Sequence, residues 1–491
     1  MLDYIYKTKP HDHQRTVFEA SRDLLSFGLL MEMGTGKTKV VIDTACYLHE
    51  RNLIRALLVV APNGVHWNWS LREIPAHLPD RCARHVVTWS AAKSTTKRFG
   101  EGMRRLFDGR PELKILCMNV EAFSTPRGRS TAEGFLQAFD RKVMFVVDES
   151  SKIKTVSAKR TKAIVKMRSL AAYRRILTGT PVTQSPLDIY SQCFFLGEEH
   201  LGFTSYYVFK QRYAQIVKRV AVDGAGRQYQ FEEIVGYRNL DELTRNLQRC
   251  TFRVTKKECL DLPDKIYTQV FVDMTKEQCD LYKTLKRDLV LGDVSVPMML
   301  TRLLRFQQIT GGFVPIEEFQ PAIAVPGRNP KIDALMSDVE DLPVDESVII
   351  WARFRAEIKA ITKALREVYG PTSAGSYFGD TSSDDRRDLI DRFQGKTTRF
   401  FVGNPQAAGM GLTLTAASTV YYFSNDFSLE NRLQSEDRCH RIGQRSAVVY
   451  KDILCRGTID ERVVGALADK KSMADLVVGD VTADQLVGED F

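Results

Sequence analysis

No C-x-x-C pair occurs in this chain, although it holds nine cysteines. A scattered, odd count argues against a zinc module or a disulfide framework and reads as reduced, mostly structural thiols. Long hydrophobic runs are missing too. The stretch ALLVVAP is strand-sized, well short of the roughly 20 apolar residues that a membrane-spanning helix needs. No basic-then-apolar leader opens the chain, so an intracellular protein is expected, cytoplasmic or nucleoid-associated, with no membrane partner. There is no low-complexity segment and no short repeat. A charged fraction of 27% beside a hydrophobic fraction of 44% argues against extended disorder.

What the chain does have is length and an uneven charge. Its 491 residues exceed one ordinary core and call for two or three domains. Residues 1–186 carry 31 Lys and Arg against 17 Asp and Glu, a net +14; the remainder carries 39 against 44, a net −5. The closing stretch MADLVVGDVTADQLVGEDF has five acids and no Lys or Arg. A basic first part suits a polyanionic partner, and a merely solvated basic surface accounts for it equally well.

Up to about residue 186, β-rich runs (FGLLME, RALLVVAP, HVVTWS, LKILCMNV, VMFVVDE, YRRILTG) alternate with amphipathic helical stretches such as SAKRTKAIVKMRSLAA. This alternation predicts a parallel sheet covered on both faces, with ligands at the carboxyl ends of its strands. From Ser185 to about Pro330, SYYVFKQRYAQIVKR, NLDELTRNLQRC, MTKEQCDLYKTLKRDLVL and MMLTRLLRFQQI read as helices, with few strands. Alternation returns in SVIIWARF, AGSYFG, TRFFVGN, TVYYFSND and AVVYKDIL. The expected architecture is two α/β lobes joined by a mainly helical middle.

Three clusters carry chemistry. In MEMGTGKTKV, Met31 occupies the first-glycine position of the phosphate-binding pattern G-x-x-x-x-G-K-[ST]. The context is nevertheless strand, glycine turn and helix start. Gly34 and Gly36 let backbone N–H groups approach phosphate oxygen, and the helix dipole favours the anion. Lys37 is expected to neutralise β/γ-phosphate charge and Thr38 to ligate Mg²⁺. Asp148 and Glu149 end an apolar strand, where one carboxylate holds Mg²⁺ through water and its neighbour orients or deprotonates the attacking water. In RLQSEDRCHRIGQ, Gln434, Arg438 and Arg441 recur at helical spacing and are expected on one face. Two arginines there suit fingers for a γ-phosphate. Trp69 and Trp351 read as packed side chains rather than platforms for bases.

With these residues in view, the chain resembles the Swi/Snf family of superfamily II helicase-like ATPases over nearly its whole length. HDHQ is similar to the adenine-reading motif, with Gln14 as its glutamine, and MEMGTGKT to a P-loop that tolerates a non-glycine first position. VVAPNGVHWNW resembles the DNA-contacting segment, DESSKIK the D-E-x-H box, LTGTPVTQSPLDIY the coupling motif and FRVTKKECLDLPDK the connecting segment. AAGMGLTLTAASTVYYF and QSEDRCHRIGQ resemble the last two motifs. Three positions depart from the family: Ser151 for its histidine, Thr413 for its asparagine and Phe427 for a tryptophan. The resemblance implies two RecA-like lobes: a first over 1–250, with a helical protrusion from about residue 187, and a second over 331–491, with a C-terminal helical brace. A connecting segment and helical insertion over 251–330 would join them. It implies ATP and Mg²⁺ held by Gln14, Met33, Gly34, Thr35, Gly36, Lys37, Thr38, Asp148 and Gly411, and catalysis by Lys37, Asp148, Glu149, Gln434, Arg438 and Arg441. DNA contacts are expected at Asn63, Lys152, Lys154, Arg160, Arg353 and Thr413. The implied activity is DNA-stimulated ATP hydrolysis driving translocation on double-stranded or branched DNA, alongside other DNA-processing proteins. Competing readings are a strand-separating DNA or RNA helicase and an ATP-gated DNA clamp with little turnover.

Overall fold

The computed structural model describes residues 4–222, 227–290, 296–314, 322–379, 381, 383–407 and 412–480. Its strands, in chain order, are β1 (Ser26–Met31), β2 (Ala56–Ala61), β3 (Arg84–Thr88), β4 (Leu113–Asn119), β5 (Val143–Asp148) and β6 (Tyr173–Leu177). Then come β7 (Ala214–Val222), β8 (Gln228–Tyr237), β9 (Thr251–Val254), β10 (Lys265–Val272), β11 (Phe313–Val314) and β12 (Ile323–Ala324). The last five are β13 (Ser347–Trp351), β14 (Ala374–Tyr377), β15 (Phe400–Gly403), β16 (Ala417–Tyr422) and β17 (Val448–Cys455).

They assemble into two parallel sheets, as the alternation predicts. The first has seven strands in the order β3-β4-β2-β5-β6-β1-β9, the second six in the order β10-β17-β16-β13-β15-β14. The apolar runs are continuous because both sheet faces are covered. Along β2, Leu57, Val59 and Ala61 enter one core while Ala56, Leu58 and Val60 enter the other. In β13, Ile349 and Trp351 face one core and Val348 and Ile350 the opposite one. The sheets belong to separate compact units: residues 1–218, 232–260 and 471–491 form one, and 219–231 and 261–470 the other.

The middle differs from its helical expectation. SYYVFKQRYAQIVKR does not form one helix: helix Tyr206–Tyr213 gives way to β7, which pairs with β8. Ile216, Val217, Val220 and Val222 are β-branched and stiff in a helix, and a partner strand waits further along the chain. A bond from Arg238 N to Tyr213 O, 2.9 Å, closes the base of this hairpin. The segment expected to be poor in strands also supplies β9, paired with β1, and β10, paired with β17. Short strands added at sheet edges escape a periodicity reading, because their identity comes from the edge they complete.

Within the first unit, residues 477–480 pack beside helix Leu240–Cys250 and β9. Thr244 Oγ1 donates to the Val477 carbonyl at 3.0 Å, and Arg253 Nη2 meets Asp480 Oδ2 at 2.6 Å. Among the described residues, no helix is long and apolar enough to cross a membrane.

Candidate nucleotide-binding site

Strand order sets the site. β6 lies between β5 and β1, and Leu177 is level with both Asp148 and Leu29. The loops leaving the carboxyl ends of β1, β5 and β6 therefore converge on one edge of the sheet. After β1 the chain turns through Gly34 (φ 79°) and Gly36 (φ 87°), left-handed conformations that favour glycine. A Cβ on Gly36 would lie 2.1 Å from Gln14 Nε2. Helix Lys37–Glu50 starts at the next residue, so its unpaired N–H groups face the turn. Lys37 is nearly buried, and its Nζ donates to the carbonyls of Met31 at 2.8 Å and Glu32 at 3.0 Å. Open N–H groups, one lysine and the adjoining Thr38 hydroxyl are the donor set a phosphate chain requires, so the residues present fit a nucleotide.

Gln14 and His13 close one side of this turn. Gln14 Nε2 donates to the Thr35 carbonyl at 3.0 Å, and His13 Nε2 lies 2.8 Å from the same oxygen. Gln14 also accepts the His11 backbone N–H at 3.1 Å, which ties it to the start of its own helix, Asp12–Ser21. Met33 packs against the loop after β6. A Cβ on Gly179 would stand 3.0 Å from both Met33 N and Cγ, a contact so tight that a side chain there would push Met33 back by a few tenths of an ångström.

The acid pair sits at the end of β5. Asp148 is buried, and Oδ1 accepts the Glu149 N–H at 2.9 Å. Burial pushes its carboxyl pKa up, while the Trp69 hydrogen bond and the Lys37 charge pull it back. Glu149 has φ 47° and ψ 59°, an unusual conformation for a non-glycine residue. Thr178 Oγ1, at the end of β6, lies 3.5 Å from Glu149 Oε2.

Trp69 is a partner that sequence reasoning missed. Its indole N–H donates to Asp148 Oδ2 at 2.7 Å, across 79 residues. The reading of Trp69 and Trp351 as packed agrees with exposures of 1% and 0%. The signal available in sequence was the general need of a buried indole N–H for an acceptor, which names no acceptor.

The residues expected to contact DNA occupy varied settings. Asn63 is exposed in the turn before helix Val65–Asn68. Lys154 Nζ bonds Thr183 Oγ1 and lies 3.6 Å from Asp188 Oδ2, so its charge is directed inward. Arg160 Nε donates to the Lys152 carbonyl at 2.9 Å. In the second unit, Arg353 reaches Gln307, its backbone N–H donates to Ser424 Oγ at 2.7 Å, and burial lowers its pKa.

Gln434, Arg438 and Arg441 do not share a helical face. Helix Leu429–Asp437 ends before both arginines. Arg438 is its buried C-cap residue, and its carbonyl accepts the Leu414 N–H at 2.8 Å, an outside bond that draws the backbone out of the helix. Cys439 Sγ donates to the Ala417 carbonyl at 2.9 Å, a second such tie. Arg441 lies in the following turn, with Nη1 3.3 Å from the Leu412 carbonyl and 3.1 Å from Thr413 Oγ1. Gln434 remains on the helix, donating to Glu430 at 3.2 Å. Gly411 lies outside the described residues.

Residues 19–309 match the SNF2-related domain, and residues 330–443 match the helicase conserved C-terminal domain. Among curated proteins, the chain is similar to the putative ATP-dependent helicase/translocase YwqA of Bacillus subtilis (strain 168). They are 24% identical over 460 residues, which cover 91% of this chain and 46% of the relative. It is also similar to the DNA annealing helicase and endonuclease ZRANB3 of Bos taurus, at 27% identity, covering 89% of this chain and 38% of the relative. The chain thus spans less than half the length of these two relatives. Among solved structures, the Sulfolobus solfataricus SWI2/SNF2 ATPase core in complex with dsDNA aligns over 99% of this chain and 98% of that one, with 24% identity and a TM-score of 0.42.

Proposed function

The chain belongs to the SNF2-related family, and from that we propose that it is a DNA-stimulated ATPase that translocates along double-stranded DNA, serving repair, recombination or replication-fork remodelling. The observation that carries this reading is the convergence of the Gly34–Thr38 turn with the acid pair Asp148–Glu149 at the ends of the two strands that flank β6. In this reading Lys37 and the open N–H groups of helix Lys37–Glu50 hold the β- and γ-phosphates. Gln14 reads the base from the far side of the same turn. Thr38 and Asp148 would hold Mg²⁺, which neutralises charge developing on the phosphate oxygens. Glu149 orients the attacking water and takes its proton. Arg438 and Arg441 belong to the second unit and stabilise the departing charge once the units close on nucleotide.

Opening and closing become directional motion if each unit grips the DNA backbone in turn. Asn63, Lys152 and Arg160 on the first unit and Arg353 on the second are the proposed backbone contacts. Backbone recognition is insensitive to sequence, which suits a motor that must track any duplex.

The test is steady-state ATP hydrolysis with no nucleic acid, and with duplex, single-stranded, forked and RNA ligands. A triplex-displacement assay set beside a duplex-unwinding assay completes it. Duplex DNA should stimulate most, and triplex strands should be displaced without unwinding of the underlying duplex. Lys37→Ala should abolish turnover, because the transferring phosphate loses its main positive partner. Turnover indifferent to every nucleic acid, or Lys37→Ala near the wild-type rate, would overturn the reading.

A further inference from the structure

Two loops at the nucleotide edge of the first sheet have no strand to hold them: the one carrying Glu149 after β5 and the one carrying Gly179 after β6. What fixes one against the other is a side chain from helix Ile189–Leu196, Gln192, which is 1% exposed. Its Oε1 accepts from Ser150 Oγ at 2.7 Å, next to Glu149. Its Nε2 donates to the Pro181 carbonyl at 2.7 Å and the Asp188 carbonyl at 2.8 Å. One amide thereby spans both loops.

Neighbouring bonds make this a single interlocked body. Ser191 Oγ donates to the carbonyls of Ile153 (2.6 Å) and Lys154 (2.8 Å), pinning the far end of the first loop to the same helix. Asp188 Oδ2 accepts Thr183 N at 3.0 Å and Gln184 N at 2.8 Å, holding the second loop. Lys154 adds its tie to Thr183. Past Lys152, the chain is clamped by Arg160. At its opposite end the body touches the phosphate turn, because Gly179 lies against Met33.

Packing alone does not require an amide at this position. Gln192 belongs to a helix on which Ile189, Tyr190, Cys193, Phe195 and Leu196 are also buried. An aliphatic side chain of similar volume would fill the same space, but it would leave Ser150 Oγ and the Pro181 carbonyl buried without this partner, at a cost in stability. The amide therefore supplies direction rather than bulk.

We propose that Gln192 is a positioning residue that, through Ser150, ties the acid-pair loop to the loop after β6, so that DNA engaging the Lys152–Arg160 surface sets the position of Glu149. The proposal rests on the ATPase reading above. Gln192 touches neither nucleotide nor DNA; it transmits.

The experiment uses Gln192→Leu, Ser150→Ala and the double variant in the full chain. Two readouts are taken: ATPase kinetics with saturating duplex, and backbone hydrogen exchange of residues 148–154 and 178–184. Gln192→Leu should lower duplex-stimulated kcat by about threefold to thirtyfold, the size of coupling changes made by residues that contact no ligand. KM for ATP and Kd for duplex should stay within about threefold. Both segments should gain exchange together, and the double variant should be no worse than Gln192→Leu alone, since the two residues act as one bridge. Tm should fall under either role, because buried partners lose their bond; a role confined to stability would also shift every kinetic constant, with additive effects. Unchanged exchange in both segments would overturn the bridge even if the wild type proved not to be a DNA-stimulated ATPase. Changed exchange with unchanged kcat in a stimulated wild type would overturn its role in coupling.

Discussion

At the scale of single residues, the tightest claim concerns Asp148. Its two oxygens are engaged from opposite origins, one by the adjoining Glu149 N–H and one by an indole 79 residues away. Trp69→Phe keeps the ring in its packed place and removes only the N–H. A carboxylate that loses the donor fixing its orientation should bind its cation less well, and outer partners of this kind are worth about 10- to 100-fold in metal affinity. Trp69→Phe is therefore expected to raise the Mg²⁺ concentration needed for half-maximal turnover by about that factor. Fluorescent-nucleotide binding measured without Mg²⁺ should change little. An unaltered Mg²⁺ requirement would show that the indole only fills space. The sequence carried half of this site openly. Gly34, Gly36 and Lys37 announce themselves because a left-handed glycine turn before a helix is a local matter. Trp69 was hidden because a hydrogen bond between distant residues leaves no spacing to read.

At the scale of elements, helix Arg355–Tyr369 begins on a buried carboxyl. Glu357 is wholly buried. Its Oε2 accepts from Ser424 Oγ at 2.5 Å and from the Phe354 N–H at 3.2 Å, while Oε1 has no hydrogen-bond partner among the described residues. Burial pushes its pKa up from 4.5 to about 7, against the pull of Ser424 and the Lys331 ammonium and with a push from Asp460. The folded protein thus keeps a proton that the unfolded chain has already released, so stability falls as pH rises from about 4.5 to about 7. Glu357→Gln lacks that fall. Relative to wild type, its unfolding free energy should improve by roughly 1–3 kcal/mol between pH 5 and pH 8, read from denaturant midpoints at each pH. Parallel pH profiles for the two proteins would refute the assignment. The end of helix Leu429–Asp437 teaches the same lesson in reverse. Periodicity carries the helix through Arg441, yet Leu414 N claims the Arg438 carbonyl and the chain turns away.

At the scale of the whole molecule, the proposed chemistry divides its parts between two compact units. Arg441, in the second, directs its guanidinium to the Leu412 carbonyl and Thr413 Oγ1 of its own unit. As a finger for the transferring phosphate, it should be dispensable for nucleotide binding and indispensable for turnover. Arg441→Ala is expected to lower kcat by roughly 10³-fold or more at saturating ATP and duplex, while nucleotide affinity changes little. Recovery of the wild-type rate at saturating duplex would leave Arg441 a DNA contact and nothing more.

The sequence by itself determined the two parallel sheets, the glycine turn ahead of helix Lys37–Glu50 and the acid pair at a strand end. These depend on short-range rules: unbroken apolar runs demand cover on both faces, and positive-φ glycines ahead of a helix make an anion cradle. Tertiary structure alone decided that the chain after Tyr213 becomes a hairpin, that β9 and β10 complete the two sheets and that both arginines leave their helix. It also decided that Trp69 holds Asp148 and that Gln192 joins two loops. In each of these cases a backbone or side-chain group selected its partner through space, from candidates that are equivalent when read along the chain.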